Sequence, residues 1–135
     1  LFRSHQEACR WEHVVSPAVE ERLVLLVSDP TVSPFGNPIP SAEGGGLATI
    51  ERFRDGSRPL SEVVSEQPTR ATVRRIGEHL QQKDTLAELI RSGATPGAAV
   101  EIQTVPRGIL IKAPQGETVI SDTVAEHFFV SADPV

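Results

Sequence analysis

The sequence contains no methionine, a single cysteine and a single tryptophan among its 135 residues. One cysteine excludes an internal disulfide framework and favours a reducing compartment. No run of about 18 apolar residues could span a bilayer, and the first residues lack the basic and apolar regions of a signal peptide. We therefore expect a soluble, cytoplasmic protein without a membrane partner. Because position 1 is not methionine, we also expect the chain to be a piece of a longer polypeptide.

Basic residues are also in deficit: 13 lysines and arginines face 18 aspartates and glutamates, for a net charge of −5. This balance is the opposite of the basic surface with which proteins neutralise the phosphates of nucleic acids. If the protein acts on DNA, this part of the chain is not the part that holds it. A hydrophobic fraction of 39% and ten glycines nevertheless indicate a folded chain of one domain or two small ones.

Helical spacing covers the first part of the chain. Residues 4–15 place Ala8, Trp11 and Val15 on one stripe, which predicts an amphipathic helix that packs through Trp11. Ser16 and Pro17 are typical of a helix start, and the second helix is predicted over residues 17–27 with the Ser16 hydroxyl as its N-cap. Residues 23–27 are almost uniformly apolar, so we expect a homodimer through the two N-terminal helices.

The rest of the chain is predicted to be a linker and a β-rich unit. Prolines and the run of three glycines at 44–46 indicate a linker over residues 41–68. From residue 69, alternating and short apolar segments predict a small barrel with one short helix, whose buried face holds Leu86, Leu89 and Ile90 and which ends at Gly93. The predicted fold is thus α+β, with a helical segment at 1–40 and a barrel at 69–135.

Four side chains that can bind metal recur at helical spacing on the first predicted helix. At 3.6 residues per turn they fall within an arc of about 100°. Imidazole and thiolate suit Fe(II), Co(II), Ni(II) and Zn(II), and a carboxylate extends the set to Mn(II). Each residue alone is more often structural, and a nucleophilic pair of the cysteine with the second histidine is an alternative. The four residues are His5, Cys9, Glu12 and His13.

Three motifs in order, EACRWEHV, SPAVEERLV and SPFGNPIP, resemble the diphtheria-toxin-repressor family of iron-dependent regulators. The later segments TVRRIGEHLQ and LIRSGATPGAAVEI look like the family's C-terminal SH3-like domain. The resemblance implies a metal-activated transcriptional repressor that binds operator DNA through an N-terminal winged helix, which lies outside this sequence. The chain would hold the later part of the metal-binding and dimerisation domain, followed by the SH3-like barrel.

The resemblance also implies which residues bind ligands. The primary metal site would use Cys9, Glu12 and His13, together with a methionine that this sequence lacks. An ancillary site would join His5 to the barrel residues Glu78 and Gln81, beside an anion held by Ser33 and Asn37. A cysteine at position 9 implies Fe(II) as the metal in the cell, with Co(II), Ni(II), Zn(II) or Mn(II) as substitutes.

Two other functions stay open on the sequence. The helix cluster could serve a small metalloenzyme with an open coordination position, although we expect no enzymatic activity. The barrel could instead be an SH3-like interaction module for proline-rich peptides, but it offers only Phe128 and Phe129 as groove aromatics. Because the ancillary ligand set is incomplete in this sequence, we expect the barrel to be folded but loosely attached to the helices.

Overall fold

The computed structural model describes residues 2–11, 14–27, 32–39, 56–77, 80 and 84–132, with the backbone alone for His5 and Val24. Among the described residues, helices α1 and α2 are followed by six short strands and three short helices. In chain order the elements are α1 (Phe2–Trp11), α2 (Pro17–Leu26), β1 (Arg58–Pro59), α3 (Leu60–Val63), β2 (Thr69–Ile76), α4 (Asp84–Ser92), β3 (Ala99–Val105), β4 (Gly108–Ala113), β5 (Gly116–Ile120), α5 (Asp122–Ala125) and β6 (Phe128–Ala132).

The two predicted N-terminal helices are confirmed, with differences at their ends. The described part of α1 ends at Trp11, whose carbonyl accepts hydrogen bonds from the amides of Val14 and Val15 in a turn. Ser16 precedes α2 with extended backbone angles and Pro17 is its first residue, as predicted. The Ser16 hydroxyl makes no capping bond, however. Its carbonyl instead accepts from the Val19 and Glu20 amides.

The strands form one antiparallel sheet in the order β1-β6-β2-β3-β4-β5. Two-residue turns at 106–107 and 114–115 join β3 to β4 and β4 to β5, which makes a meander. The last strand, β6, returns across the sheet to lie between β1 and β2. We call residues 58–132 the sheet unit. The helices and the antiparallel sheet confirm the predicted α+β class.

The core of the sheet unit follows the alternation of the strands. Alternate residues of β3, β4 and the first part of β2 are buried, among them Val73, Ile102 and Ile111, while their neighbours face outward. The alternation of β2 breaks at a register shift between Val73 and Arg75. The predicted short helix is α4, which buries Leu86 and Leu89 against this core. It ends before Gly93, whose positive φ of 85° is the left-handed turn expected after a helix.

The sheet unit starts earlier than the sequence patterns suggest. Residues 58–64 fall in the segment predicted to be linker, yet β1 pairs with β6 and Leu60 is fully buried. A two-residue strand has no periodicity to detect, and it forms because the backbone of β6 offers an open edge. The outer bounds of the predicted domains remain a prediction.

Candidate metal centre

Helix α1 carries the cysteine on which the predicted metal site depends. Cys9 is exposed on α1, four residues after the backbone position of His5. A separation of four residues places two side chains on the same face of a helix, one turn apart. The thiol can therefore be reached from solvent, and a thiolate with a neighbouring imidazole suits borderline divalent metals. The donor chemistry of this helix fits such an ion.

The remaining predicted ligands fall outside the description. Glu12, His13, Glu78 and Gln81 are not among the described residues, and the side chain of His5 is not described. Within the described ranges, no group of three or more histidine, cysteine, aspartate or glutamate side chains comes together. Metal binding by these residues therefore stays a prediction.

The position of Cys9 bears on the alternative of a nucleophilic cysteine. A thiol near the start of a helix is suited to that role, because unbonded amide groups there stabilise a thiolate. Cys9 lies beyond the first turn of α1, whose described part begins at Phe2. The start of the helix therefore gives no support to a catalytic role of this cysteine.

The apolar face of α1 and α2 is open in the single chain. Trp11, predicted to be a packing residue, is 61% exposed. Every described side chain of α2 is exposed, and Leu26 reaches 79%. Among the described residues nothing covers these side chains, so the helices present an apolar surface of the kind that marks an interface.

Residues 32–39 form a compact loop that lies against the sheet unit. Its ends meet in a bridge between Val32 and Pro38. Inside the loop the Ser33 hydroxyl oxygen accepts bonds from the amides of Phe35 and Asn37, both at 3.3 Å. Gly36 supplies a positive φ of 79° and donates its amide to the Ser33 carbonyl. The Ser33 hydroxyl thus closes the turn, and glycine at position 36 avoids the strain that a side chain would have at this positive φ.

The loop bonds to the part of β2 that β3 does not cover. The pairing of β2 with β3 stops at Thr72. Beyond it, the Ile76 amide donates to the Phe35 carbonyl at 2.8 Å, and the Asn37 side-chain amide donates to the Ile76 carbonyl at 2.7 Å. Gly36 lies so close to Arg74 that a Cβ would sit 2.1 Å from the Arg74 carbonyl oxygen.

Ser33 and Asn37, the predicted anion ligands, are thus brought together, but both side chains already serve the fold. The Ser33 oxygen accepts from two amides, and one N–H of Asn37 is used by Ile76. The anion role stays a prediction. Loop and anion motifs gave no hint of the part played by Phe35, which is fully buried in the core of the sheet unit. Its only signal in the sequence is a lone aromatic residue in a Pro- and Gly-rich segment.

Phe35 also contacts α1. The rings of Phe2 and Phe35 lie with their centroids 5.0 Å apart and tilted by 40°, a favourable aromatic geometry. Phe2 is partly buried against the same core. Apolar burial thus joins the sheet unit to the N-terminal segment. The expectation of a loosely attached barrel concerns motion and stays a prediction.

The N-terminal part of the chain matches a known family of protein domains. The family described as iron dependent repressor, metal binding and dimerisation domain, matches residues 3–41. The Iron-dependent repressor IdeR of Mycobacterium leprae is 41% identical over 123 residues, covering 85% of this chain and 51% of that protein. By these two matches the chain resembles the iron-dependent repressor family. The resemblance carried by the three motifs is confirmed.

A second repressor sequence and two solved structures are also similar to this chain. The Diphtheria toxin repressor of Corynebacterium diphtheriae is 38% identical over 103 residues, covering 76% of this chain and 45% of that protein. The crystal structure of IdeR from T. acidophilum matches with a TM-score of 0.70 at 22% identity, covering 98% of this chain and 57% of that one. ScaR with bound Zn²⁺ has a TM-score of 0.72 at 20% identity, with coverages of 98% and 63%. At these identities the two structures show a shared fold.

The chain spans about half the length of the curated iron-dependent repressors that it matches. The part assigned to the metal-binding and dimerisation domain, residues 3–41, contains α1, α2 and the loop at 32–39. It therefore includes six of the eight predicted ligand positions and leaves out Glu78 and Gln81. None of the described helices has the length and hydrophobicity needed to cross a bilayer.

Proposed function

We propose that this chain is the metal-sensing and dimerisation portion of an iron-dependent transcriptional repressor. The whole protein would bind operator DNA when loaded with divalent metal. The observation that carries the proposal is an exposed Cys9 on α1, one turn from His5, inside the residues matched by the metal-binding and dimerisation domain. The names of its relatives are those of repressors, so we propose a regulatory protein of the cytoplasm without enzymatic activity.

The proposed primary metal ligands are Cys9, Glu12 and His13, with Fe(II) as the metal in the cell. Co(II), Ni(II), Zn(II) and Mn(II) are proposed as substitutes, since imidazole and thiolate donors accept all of them to different degrees. When bound, the cation would supply a crosslink among side chains of different segments. The proposed ancillary site joins His5 to Glu78 and Gln81, near the loop that contains Ser33 and Asn37.

The position of the loop supports an ancillary site that involves both parts of the chain. Phe35 and Asn37 bond to Ile76, two residues before Glu78, while Phe2 of α1 packs on the Phe35 ring. The N-terminal segment of α1 and the end of β2 thus meet at one loop. Contacts through this loop already hold the start of α1 near the end of β2, so part of the entropy cost of bringing ligands from both segments together is met by the fold.

We propose that the functional unit is a homodimer through α1 and α2. Leu25, Leu26 and Val27 are 75%, 79% and 60% exposed, and Val19 and Leu23 are each half exposed. Burial of such side chains contributes about 1.5–3 kcal/mol apiece relative to full exposure. A second copy of the same apolar face would cover them, as symmetric dimers usually do.

The net charge of −5 supports a repressor in which metal sensing and DNA binding belong to different parts of the protein. Acidic surfaces repel DNA phosphates, so operator contacts would be made by the family's N-terminal winged helix, outside this chain. Metal-dependent repression is then a population shift: ligand side chains favour the arrangement in which the two DNA-binding parts of the dimer fit two half-sites.

A cobalt titration of the chain tests the metal-sensing proposal. We expect Co(II) to produce a thiolate-to-metal charge-transfer band, because Cys9 supplies sulfur to the site. In the variant Cys9→Ala the band should disappear and the affinity should fall by about tenfold or more, which is about 1.4 kcal/mol or more. Ser4→Ala, which alters another exposed position of α1, is the matched control and should titrate like the unaltered chain. An identical spectrum in Cys9→Ala would remove the cysteine from the site and the proposal with it.

A further inference from the structure

Strand β5 (Gly116–Ile120) ends the sheet on the side away from β1. It pairs with β4 on one side, and among the described residues no strand lies on its other side. An unpaired strand edge is a template on which an extended chain can add as a further strand. The edge of β5 therefore has the geometry to accept an added strand, and its backbone groups and side chains determine which strand would fit.

The backbone of Glu117 and Val119 faces the open side. A two-residue turn makes Ala113 and Gly116 a hydrogen-bonded pair, and the pairs alternate from there along an antiparallel ladder. Ile120 confirms the phase, since its carbonyl oxygen points toward β4, only 2.2 Å from where a Cβ on Gly108 would be. The N–H and C=O groups of Glu117 and Val119 thus point away from β4. In the part of the chain that is described, they have no hydrogen-bond partner.

The outer face of the sheet carries a row of alternating charge that stops at this edge. Register pairs Arg70 with Glu101, Glu101 with Lys112, and Lys112 with Glu117 across β2, β3, β4 and β5. The Lys112 ammonium lies 3.0 Å from the Glu101 carboxylate. From Arg70 to Glu117 the charges alternate in sign, and the row ends at the exposed side chain of Glu117. A basic residue on an added strand would continue it, because opposite charges on paired strands stabilise a sheet.

Val119 determines which second residue an added strand would need. It lies two residues after Glu117 on the same outer face and is 45% exposed. Its cross-strand neighbour Leu110 is only half-buried. An added strand with an apolar residue opposite Val119 would cover both side chains. A charged residue opposite Val119 would make no favourable apolar contact with Val119 or Leu110.

The opposite face of the edge opens on a cleft beside α4. This cleft has a volume of about 480 Å³, and Glu88, Arg91 and Ser92 of α4 and Thr118 of β5 contribute to its lining. The Gln115 amide bonds to the Ser92 carbonyl at 2.9 Å, which ties the helix end to the β4–β5 turn. Side chains alternate along a strand, so the residue of an added strand between the apolar and the basic one would enter this polar cleft.

We propose that the edge of β5 binds an extended peptide as an additional antiparallel strand. The peptide carries an apolar residue, any residue, and then lysine or arginine, in that order. The apolar residue lies opposite Val119 and the basic residue opposite Glu117. Antiparallel addition matches every other strand pair of the sheet and allows four backbone hydrogen bonds to Glu117 and Val119. The occupant is thus a partner protein with an exposed strand of this pattern.

The test is an NMR titration of the full 135-residue chain with the peptide acetyl-Thr-Val-Thr-Lys-Thr-amide. We expect the amide resonances of Glu117 and Val119 to shift and their hydrogen exchange to slow. A peptide N-methylated at its valine and lysine should produce neither effect, because those two N–H groups donate to β5. Glu117→Lys should weaken binding by about two- to fivefold. A peptide with glutamate in place of lysine should recover that loss.

Glu66→Lys is the matched control, since it reverses an equally exposed glutamate away from this edge, and it should leave the titration unchanged. Three results would overturn the proposal. The first is no response of Glu117 and Val119 at millimolar peptide, as expected if the glutamate only guards the edge. The second is slow exchange of both amides before peptide is added, which would show that the edge is already covered. The third is a shift that depends on protein concentration alone, which would assign the edge to a second copy.

Discussion

Phe35 provides the sharpest test of how the sheet unit is joined to the N-terminal segment. Its side chain is fully buried in the core of the sheet unit although Phe35 lies in a loop, more than twenty residues before β1. Replacement of a buried phenylalanine by alanine costs about 3–5 kcal/mol through lost burial and the cavity left behind. Loss of the ring contact with Phe2 is part of this cost, at about 0.5–1.5 kcal/mol. We expect Phe35→Ala to lower the free energy of unfolding by about 3–5 kcal/mol.

Urea unfolding followed by circular dichroism measures that loss, and hydrogen exchange locates it. The Ile76 amide is the reporter, because it donates to the Phe35 carbonyl. In Phe35→Ala its exchange should accelerate, as the loop leaves β2 more often. Asn37→Ala, which removes the 2.7 Å bond to the Ile76 carbonyl, should cost about 1–3 kcal/mol since that carbonyl loses its partner.

Val32→Ala is the control within the same loop. Val32 is 43% exposed, so its truncation should change stability by no more than about 0.5 kcal/mol. If Phe35→Ala unfolds at the same urea concentration as the control, with an unchanged Ile76 exchange rate, the loop is not part of the core. The account of how α1 meets the sheet unit would then be refuted.

Two further substitutions probe the dimer surface and the loop. Leu26→Glu should raise the dimer dissociation constant in sedimentation experiments by about tenfold or more, because it places a charge in the proposed apolar interface. Thr104→Glu, on the exposed face of β3, should leave that constant unchanged, and an unaltered dimer in both would contradict the interface. Gly36→Ala should lower the melting temperature by several degrees, equivalent to about 1–2 kcal/mol or more. The added Cβ would meet the Arg74 carbonyl at a positive φ, so an unchanged melting temperature would show that the turn is not held as described.

The helices and most strands could be predicted from the sequence because their signals are local. Ser16 and Pro17 mark the start of α2, and Gly93 marks the end of α4, since backbone angles there depend on the residue itself. Alternation likewise predicts β3 and β4, whose buried residues recur at every second position. The same locality applies to Cys9 and His5, which lie one turn apart wherever the helix goes.

Tertiary structure alone decided that Phe35 is buried and that the short strand β1 forms. A single aromatic residue in a loop has no periodicity, and its burial depends on the edge of β2 that β3 leaves open beyond Thr72. Likewise, Arg58 and Pro59 form a strand because β6 returns beside them. Phe35 and β1 each contact a segment that is distant in the chain. The free energy of each contact depends on both segments together, so neither segment predicts it alone. The local sequence therefore determined the helices and the longer strands, while long-range packing determined β1, where the sheet unit begins, and what joins it to α1.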